Sequence, residues 1–465
     1  MTLSKVHIAV IAVVAIVVVA AAVILVTNGG GNDSGGGGTV DDYSSDPILW
    51  VRGNANGDQI IDKSDVSVIN AVINAGGTTS KYAWCDANND GKIDSNDVSF
   101  VQSMINGKAT YLYFKNIDDN IVKYTIQDHH YVIAVNQCNA QELQVIINKD
   151  SQSKFVGGDQ QIKKYNNVFN LNFGTDPAKG EVLVTGTSNG EVQAEVVSTL
   201  LKTYGHLDIT LGSSSSYGKT LETDFKNEPN INIVRLPSWE DGTLSGVMTY
   251  GYLFGGVQKN SCWDQALKYY DLYTKYYDPI VKEVAKIKES DRPNVLVMYV
   301  KDCYPGATDK VLSKTSGDFE RSVMCGGNNI GEYFGTGYVA VTKEDMAACQ
   351  KTKGIDVIIV EPSYVYGDNG KQGVIDAVQL CIDEFDGYIS PETEIYSLSF
   401  MVTTGPACVV SFVSFVQAFF PDNSVFKNYD ANEVFEKYLE LAGWSDRTDI
   451  SDIVFYGPGH TTTKI

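Results

Sequence analysis

Two twelve-residue segments of this chain repeat one pattern of polar residues, and the repeat constrains the local fold more than any other feature. The segments begin at Asn54 and Asp86, thirty-two residues apart. Side chains that carry oxygen fall at positions 1, 3, 5, 9 and 12, and position 7 offers its backbone carbonyl, as in a calcium loop. These positions are Asn54, Asn56, Asp58, Ile60, Asp62 and Asp65 in the first loop, and Asp86, Asn88, Asp90, Lys92, Asp94 and Asp97 in the second. The sequence therefore predicts two Ca2+ sites in tandem, each followed by a short apolar helix.

The two loops differ in residues that affect affinity. Gly91 stands at position 6 of the second loop, where the backbone turns sharply, whereas the first loop has Gln59 there and Asn54 at position 1. Tighter binding is therefore predicted for the second loop. Position 12 is Asp in both loops instead of the Glu of EF-hands, so residues 47–108 resemble a dockerin domain. The resemblance implies a small all-α domain of EF-hand type that binds Ca2+ and a cohesin-like protein; a metal-free acidic turn cluster is the alternative.

A run of nineteen apolar residues, Ile8 to Val26, lies near the N-terminus. At about 1.5 Å per residue, a helix of this length spans roughly 28 Å, close to the hydrocarbon thickness of a bilayer. Lys5 precedes the run and acidic residues follow it, so the positive-inside rule predicts a single-pass anchor in the cell membrane with the bulk of the chain extracytoplasmic. A cleaved secretory signal is the alternative. Residues 1–27 would form the cytoplasmic tip and anchor, and the glycine-rich residues 28–46 a flexible linker.

The remainder of the chain is predicted to be α/β, because apolar strand-like segments alternate with helical ones. Two stretches look like copies of each other. In each, a helix begins near a glutamate, Glu195 or Glu344, and an aspartate opens a buried strand twelve or thirteen residues later. The strands end in loops of small and aromatic residues. This duplication predicts two Rossmann-like lobes, residues 110–258 and 292–445, followed by a tail at 446–465.

One long helix is predicted between the lobes, over residues 259–291. Apolar side chains from Trp263 to Ile287 recur there at three- and four-residue spacing, which is typical of a helix with one buried stripe. Pro279 either kinks this helix or follows the cap of a second helix in line with the first.

Two α/β lobes joined by a rigid helix resemble the substrate-binding proteins of ABC transporters that import iron-siderophores, haem and cobalamin. The resemblance covers about residues 111–444. It rests on YLYFKNIDDNIVKYTI as an opening hairpin, YVIAVNQCNAQEL and KFVGGD in the first lobe, and CGGNNIGEYFG, VAVTKEDM and IYSLSFMVTTGP in the second. His129 and His130 stand where the family usually has a short arginine-containing segment. The resemblance implies a periplasmic binding protein that captures a metal chelate (a ferric siderophore, haem or a corrinoid) for an ABC permease.

Open α/β sheets bind ligands beyond the carboxyl ends of their strands, so the loops there are predicted to line a ligand cleft. Their aromatic planes and hydroxyls suit a flat macrocycle or an aromatic chelate. The candidates are Asn136, Gln137, Ser215, Ser216, Tyr217 and Trp239 in the first lobe, and Tyr299, Tyr304, Tyr364, Tyr366 and Thr404 in the second. These loops show no cluster of His, Cys and carboxylates, which predicts that any metal is bound as a complex with an organic ligand.

The resemblance also implies that Glu195 and Glu344, one on each lobe, meet arginines of the permease. A carboxylate is favoured at a helix N-terminus in any case, so compensation of the helix dipole is the alternative role.

Composition and motifs narrow the remaining functions. Thirty-six basic against fifty-seven acidic residues give a net charge of −21, which repels the phosphates of nucleic acid. The sequence has no P-loop or HExxH motif, and the resemblance to binding proteins likewise predicts that the chain is not an enzyme. Eight cysteines without CxxC spacing are predicted to be core residues, with one or two disulfides as an option outside the cytoplasm.

Two other functions stay open at this point. One is a calcium-dependent adhesion or scaffold protein at the cell surface, acting through the dockerin-like module. The other is an extracellular enzyme delivered by that module, which would need a paired-carboxylate cleft.

Overall fold

The computed structural model of the chain describes residues 47–187, 191–212, 218–238, 242–303, 306–362, 370–445 and 454–458. The predicted membrane anchor and the linker, residues 1–46, lie outside these ranges. The described chain forms two compact units, a small one with Arg52–Ile105 and a larger one with Ile48–Val51 and the residues from Asn106 onward. Among the described helices, none combines the length and the hydropathy needed to cross a membrane.

The small unit contains two helices, each entered from one of the predicted loops. They are α1 (Lys63–Asn74) and α2 (Ser95–Ile105), and they pack against each other. A capping box starts α1, because the Asp62 carboxylate accepts from the Ser64 and Asp65 backbone amides while the Asp65 side chain accepts from the Asp62 amide. The packed face buries Ile69, Val72, Val101 and Met104. Both helices therefore begin within the loops that carry the predicted calcium ligands.

The first lobe opens with an antiparallel hairpin of β1 (Tyr111–Lys115) and β2 (Ile121–Thr125). Five parallel strands follow, in the spatial order β5-β4-β3-β6-β7. They are β3 (His130–Ala134), β4 (Ser153–Gly158), β5 (Leu183–Val184), β6 (Leu207–Gly212) and β7 (Ile231–Leu236). The helices are α3 (Gln137–Ile147), α4 (Gln160–Lys164), α5 (Asn166–Phe169), α6 (Ala194–Tyr204), α7 (Leu221–Asp224) and α8 (Thr243–Gly251). The strand order reverses between β3 and β6, and such a reversal opens a crevice beyond their carboxyl ends.

A buried pair of polar side chains lies at the opposite, amino end of these two strands. His130 Nδ1 is 2.9 Å from Asp208 Oδ2, with both side chains no more than 1% exposed. The other ring nitrogen, Nε2, is 2.9 Å from the Phe254 carbonyl oxygen. Both ring nitrogens are therefore engaged within the lobe. His130, which departs from the family pattern in sequence, thus has a structural role in the first lobe.

A single helix, α9 (Ser261–Val284), joins the lobes and continues through Pro279 without interruption. The Asn260 side chain caps it by accepting from the Cys262 amide. Its buried stripe includes Trp263, Ala266, Tyr269, Tyr273, Tyr276 and Ile280. The helix is shorter than predicted, because the exposed charged residues after Val284 form a separate 3-10 turn, Glu289–Asp291. Ile287 therefore continues the apolar spacing without belonging to the helix.

The second lobe has a mixed sheet with the order β11-β9-β8-β12-β13-β14, and β10 pairs with β8 beside this path. The strands are β8 (Asn294–Tyr299), β9 (Lys310–Leu312), β10 (Asn328–Asn329), β11 (Tyr338–Ala340), β12 (Val357–Val360), β13 (Glu394–Leu398) and β14 (Phe455–Tyr456). The helices are α10 (Gly317–Met324), α11 (Lys343–Lys353), α12 (Gly370–Phe385), α13 (Phe400–Thr403), α14 (Cys408–Phe419) and α15 (Ala431–Leu441). Strand β14 shows that the predicted tail contributes to the sheet.

The two stretches that look alike in sequence occupy equivalent places in the two lobes. Helix α6 leads into β6, which pairs in parallel with β3, the first strand of its sheet. Helix α11 leads into β12, which pairs in parallel with β8, the first strand of the second lobe. The carboxyl ends of β3, β6, β8 and β12 therefore position the residues of the candidate site.

All eight cysteines lie in the described part of the chain, and all are buried free thiols. The core role predicted for them is confirmed. The predicted option of one or two disulfides is not realised.

Candidate functional site

The two predicted calcium loops have matching hydrogen-bond geometry. The Asp65 carboxylate accepts from the backbone amides of positions 3 and 9 at 3.1 and 2.8 Å. The Asp97 carboxylate does the same in the second loop at 3.2 and 2.8 Å. In both loops the side chains at positions 3 and 5 accept from the amide two residues further on, at 2.8–3.0 Å. These bonds fix the same loop conformation twice.

The donor chemistry of the loops fits a hard divalent cation. Asp65, Asp86 and Asp97 are at most 3% exposed. Burial raises the pKa of Asp65 to about 7 and raises the pKa of Asp86 and Asp97, with a neighbouring carboxylate adding to the rise in each case. A bound Ca2+ would offset this repulsion, and residues 54–65 and 86–97 supply the carboxylate, amide and carbonyl oxygens that it prefers.

Among the described residues, no group of three or more His, Cys, Asp or Glu side chains converges as a metal site. The calcium ligand set of the two loops stays a prediction.

The loops differ at position 1 as the sequence indicates. The Asn54 side chain donates to the Asp58 carbonyl oxygen at 2.7 Å. At the same position in the second loop, the Asp86 carboxylate accepts from the Asp90 and Gly91 amides at 3.0 and 3.1 Å. Gly91 has a φ of +86°, a left-handed conformation that glycine adopts without strain. The second loop thus combines an additional carboxylate with the turn residue that its backbone requires.

Asp90→Ala is expected to abolish the tighter of two calcium-binding events and to leave the weaker one, because it removes a central ligand and its charge from the second loop. Calorimetric titration of the full chain with CaCl2 measures both events. Asp58→Ala is the matched variant in the first loop and should remove the weaker event. If Asp90→Ala leaves the tighter event in place, the assignment of the loops is wrong.

Buried polar side chains gather at the carboxyl ends of β3 and β6 in the first lobe. Asn136 caps α3, since its Oδ1 accepts from the Asn139 amide at 2.8 Å while its Nδ2 donates to the Gly212 carbonyl at 2.5 Å. Both ends of this amide are engaged within the lobe, so Asn136 joins the ends of the two strands. Gln137 is 8% exposed, and its side-chain oxygen has no hydrogen-bond partner. This edge of the sheet therefore holds a buried acceptor that the lobe does not satisfy.

Glu142, on α3, is an acid at this edge that the sequence analysis did not identify. It is fully buried, and its Oε2 accepts from the Ser238 hydroxyl at 2.6 Å and lies 3.5 Å from Asn139 Nδ2. Its Oε1 has no hydrogen-bond partner. Burial raises the pKa of Glu142 well above its ordinary value, and the two hydrogen bonds oppose that rise only in part. Its buried surroundings therefore favour the protonated form of Glu142.

Three charged side chains meet at the carboxyl end of the second-lobe sheet. Glu361 directly follows β12, Asp318 and Arg321 belong to α10, and all three are at most 3% exposed. Arg321 Nη1 donates to Asp318 Oδ1 at 2.8 Å and also to the Thr403 carbonyl oxygen. Neither oxygen of the Glu361 carboxyl receives a hydrogen bond from an N–H or hydroxyl group. Burial raises the pKa of Glu361 well above its ordinary value, and the charge of Asp318 adds to the rise.

This cluster contains two carboxyls and one guanidinium. The Glu361 carboxyl lies within hydrogen-bond reach of the Asp318 carboxylate. Two carboxyls can share a hydrogen bond only if one of them holds a proton, and the raised pKa assigns that proton to Glu361. We call Asp318 and Glu361 the acid pair, and all three residues the acid pair with its arginine.

Two tyrosine rings lie near this cluster. Tyr299, the last residue of β8, stacks on Tyr338 of β11 with ring centroids 5.9 Å apart and planes at 24°. Tyr338 is 51% exposed. Burial and the charges of Asp318 and Glu361 raise the pKa of Tyr338, and a hydrogen bond with Tyr299 opposes that rise.

The two lobes meet beside these groups. The Gly405 amide donates to the Ser238 carbonyl oxygen at 3.1 Å. Thr404 is 1% exposed, and its hydroxyl hydrogen-bonds the Cys138 thiol. Gly405 has a φ of +63°, and a Cβ there would lie 2.9 Å from Gln141 Oε1, so the crossing requires glycine. Thr404 therefore belongs to the contact between the lobes.

Four of the eleven predicted cleft residues are described, and each lies at the carboxyl end of a strand or in the contact between the lobes. These four are Asn136, Gln137, Tyr299 and Thr404. The other seven, Ser215, Ser216, Tyr217, Trp239, Tyr304, Tyr364 and Tyr366, lie outside the described residues. Sequence reasoning missed Glu142, Ser238, Asp318, Arg321, Tyr338 and Glu361. A carboxylate directly after the apolar strand VIIV was the one local signal for Glu361.

The second lobe contains a pair of carboxyls that the sequence does not display. Asp318 and Glu361 are 43 positions apart in the sequence, and only the pairing of strands brings them together. The carboxyls are close enough to hydrogen-bond, whereas the two carboxyls of glycoside hydrolases are held roughly 5 Å or more apart.

Glu195 and Glu344 are both exposed, in the first turns of α6 and α11. Because these helices lead into equivalent strands, the two carboxylates occupy corresponding places on the two lobes. Their role in docking stays a prediction.

A cavity of about 700 Å3 lies near the amino end of β13, away from the strand ends that carry the predicted cleft. Its lining is mainly apolar and includes Val378, Ile382, Phe385, Ile389 and Ile395. It contains none of the predicted cleft residues.

One family model and several solved structures resemble parts of this chain. Residues 52–106 match the family model for the dockerin type I domain. A comparison with curated proteins gives no match. The solved structure of a TroA-like periplasmic binding protein, FepB from Veillonella parvula, has a TM-score of 0.55 at 14% identity, with 74% of this chain and 99% of that chain covered.

Two further structures are less similar. The molybdate-binding protein MolA from Haemophilus influenzae has a TM-score of 0.48 at 14% identity, with 73% of this chain and 99% of that chain covered. A solute-binding protein of an ABC transporter from Sulfurospirillum deleyianum has a TM-score of 0.48 at 13% identity, with 71% and 95% covered. The likeness to the Veillonella protein shows that the larger unit has the fold of TroA-like periplasmic binding proteins. The predicted mixed α/β fold is confirmed.

Proposed function

We propose that the chain is a membrane-anchored, extracytoplasmic receptor that captures a metal chelate, either a ferric siderophore, haem or a corrinoid, and delivers it to the permease of an ABC importer. The observation that carries the proposal is the pair of α/β lobes joined by α9, with buried polar groups at the strand ends where the lobes meet. Lobes of this kind bind by closing around a ligand. The fold shared with a TroA-like periplasmic binding protein supports the same function.

These groups support ligand binding without catalysis best. Gln137 and Glu142 offer buried acceptors in the first lobe, and the tyrosine pair with the acid pair beneath it lies in the second. Such groups recognise an organic surface through contact area and a few hydrogen bonds. The anchor at Ile8–Val26 and the glycine-rich linker would keep the receptor beside its permease.

Charge reversal at both Glu195 and Glu344 is expected to reduce ligand uptake at least about tenfold while leaving ligand affinity unchanged. Each substitution by lysine would oppose an arginine of the permease, and like charges at an interface repel. The measurements are equilibrium binding by the purified chain and uptake by vesicles that contain the permease.

Glu228 and Glu392 provide the control, because both are exposed, one on each lobe. Their replacement by lysine makes the same change in net charge at other places. If the variant with lysine at 195 and 344 and the variant with lysine at 228 and 392 support equal ligand uptake, docking is refuted. Glu195 and Glu344 then only compensate the dipoles of their helices.

An alternative function is supported by the dockerin type I match at residues 52–106. In this alternative the chain is a calcium-dependent cell-surface adhesion or scaffold protein, and the small unit binds a cohesin-like partner. Chelate binding in the absence of calcium distinguishes the two functions. Binding that persists without calcium supports the receptor.

A further inference from the structure

One carboxyl at the carboxyl end of the second lobe lacks a hydrogen-bond donor. Arg321 is fully buried, and its guanidinium donates to Asp318 and to the Thr403 carbonyl. Glu361 is also fully buried, and neither of its carboxyl oxygens receives a hydrogen bond from an N–H or hydroxyl group. A buried carboxyl that lacks a donor is destabilising unless a positive group or a proton compensates it. Ionised Glu361 would therefore need a positive group that its own lobe does not place against its carboxyl oxygens.

We propose that the ligand of this cleft carries a positively charged group, such as an ammonium, which binds against the Tyr299–Tyr338 rings and the carboxyls of Asp318 and Glu361. This inference rests on the proposed function and specifies the class of chelate that the receptor takes. In the free protein a proton neutralises the Glu361 carboxyl, and in the complex the positive group of the ligand replaces that proton.

The tyrosine pair points independently to a cation. The face of an aromatic ring attracts an ammonium or guanidinium group, and the attraction is stronger where water is excluded. The Tyr338 side chain is 51% exposed, and the charges of Asp318 and Glu361 act on its hydroxyl. The two rings would therefore offer a cation a favourable contact near both carboxyls.

Binding of a cation should release a proton. The groups that face Glu361 are Asp318 and Arg321 of α10, Tyr338 of β11 and the Cys303 thiol, which lies 3.8 Å from the Glu361 carbonyl oxygen. A ligand cation beside the carboxyl lowers its pKa from the raised value of the free protein. Between those two values the complex holds fewer protons, so affinity for the cation should rise with pH.

The test compares three iron chelates on the full chain by isothermal titration calorimetry at several pH values and in buffers of different ionisation enthalpy. Ferrioxamine B carries one free ammonium, its N-acetylated derivative has the same iron centre without that charge, and haem carries two carboxylates. The ammonium form should bind at least about tenfold more tightly than the acetylated form, with proton release.

Glu361→Gln should remove this preference by weakening binding of the ammonium form about tenfold and leaving the acetylated form unchanged. Glu392→Gln, at an exposed residue of the same lobe, is the control. Tyr338→Leu removes the aromatic ring at a half-exposed position, where the substitution should not prevent folding. This variant should weaken binding of the ammonium form only.

Each outcome decides the inference. If the acetylated chelate or haem binds as tightly as the ammonium form, or more tightly, the inference that the ligand is positively charged is refuted. The proposed function then still stands. If none of the three chelates binds, and no other ferric siderophore or corrinoid binds either, the proposed function fails and this inference fails with it.

Discussion

Replacing Arg321 by methionine is expected to lower the free energy of unfolding of the larger unit by about 3–5 kcal/mol. The substitution leaves Asp318, which is 3% exposed, and the fully buried Glu361 without a compensating charge. It also leaves the Thr403 carbonyl without its donor. Urea unfolding followed by tryptophan fluorescence measures the change.

Lys314 provides the matched control, because its ion pair with Glu332 is 2.7 Å long but both side chains are at least 38% exposed. Lys314→Met should change the free energy of unfolding by no more than about 1 kcal/mol. Adding Asp318→Leu to Arg321→Met should recover part of the loss, because a buried ion pair replaced as a whole by apolar groups is often tolerated. Equal effects of Arg321→Met and Lys314→Met would show that the cluster does not stabilise the lobe.

Removal of calcium by EGTA is expected to lower the midpoint of thermal unfolding of the small unit by roughly 10–20 °C. A ligand present at about one hundred times its dissociation constant stabilises a fold by about 2.7 kcal/mol. In a domain of 60–100 residues, each kcal/mol shifts the midpoint by roughly 4–8 °C. The buried carboxylates of Asp65 and Asp97 repel neighbouring charges when the metal is removed.

The measurement is the melting of the full chain in EGTA and in CaCl2, with MgCl2 in place of CaCl2 as the control for ionic strength and charge. Trp84 is buried in the small unit and reports its transition. The transition of the larger unit should stay where it is. A small unit that melts at the same temperature in both solutions would contradict the calcium assignment.

The calcium loops could be predicted because their ligands are close together in sequence. Asp65 and Asp97 follow the first residues of their loops by eleven positions, and this spacing alone gives the matching backbone geometry. The stripe of α9 could be predicted for the same reason, since helical neighbours are three and four residues apart. The end of α9 could not be predicted, because Ile287 continues the apolar spacing although the helix ends at Val284.

The acid pair with its arginine could not be predicted, because it depends on tertiary structure. Asp318 and Arg321 are one helical turn apart and give no local sign that Glu361 will join them. The parallel pairing of β12 with β8 brings the end of β12 to this place. The contact of Thr404 with Cys138 likewise crosses from one lobe to the other, and no spacing in the sequence encodes it.

Ligand binding by the purified full chain tests the central claim most directly. The chain is titrated with haem, cobalamin and a set of ferric siderophores, and quenching of tryptophan and tyrosine fluorescence is followed in the presence of EGTA. The account predicts saturable binding of at least one chelate, with one site per chain and a Kd of about 1 μM or below. Absence of saturable binding for every chelate, in EGTA and in CaCl2 alike, would contradict the receptor function.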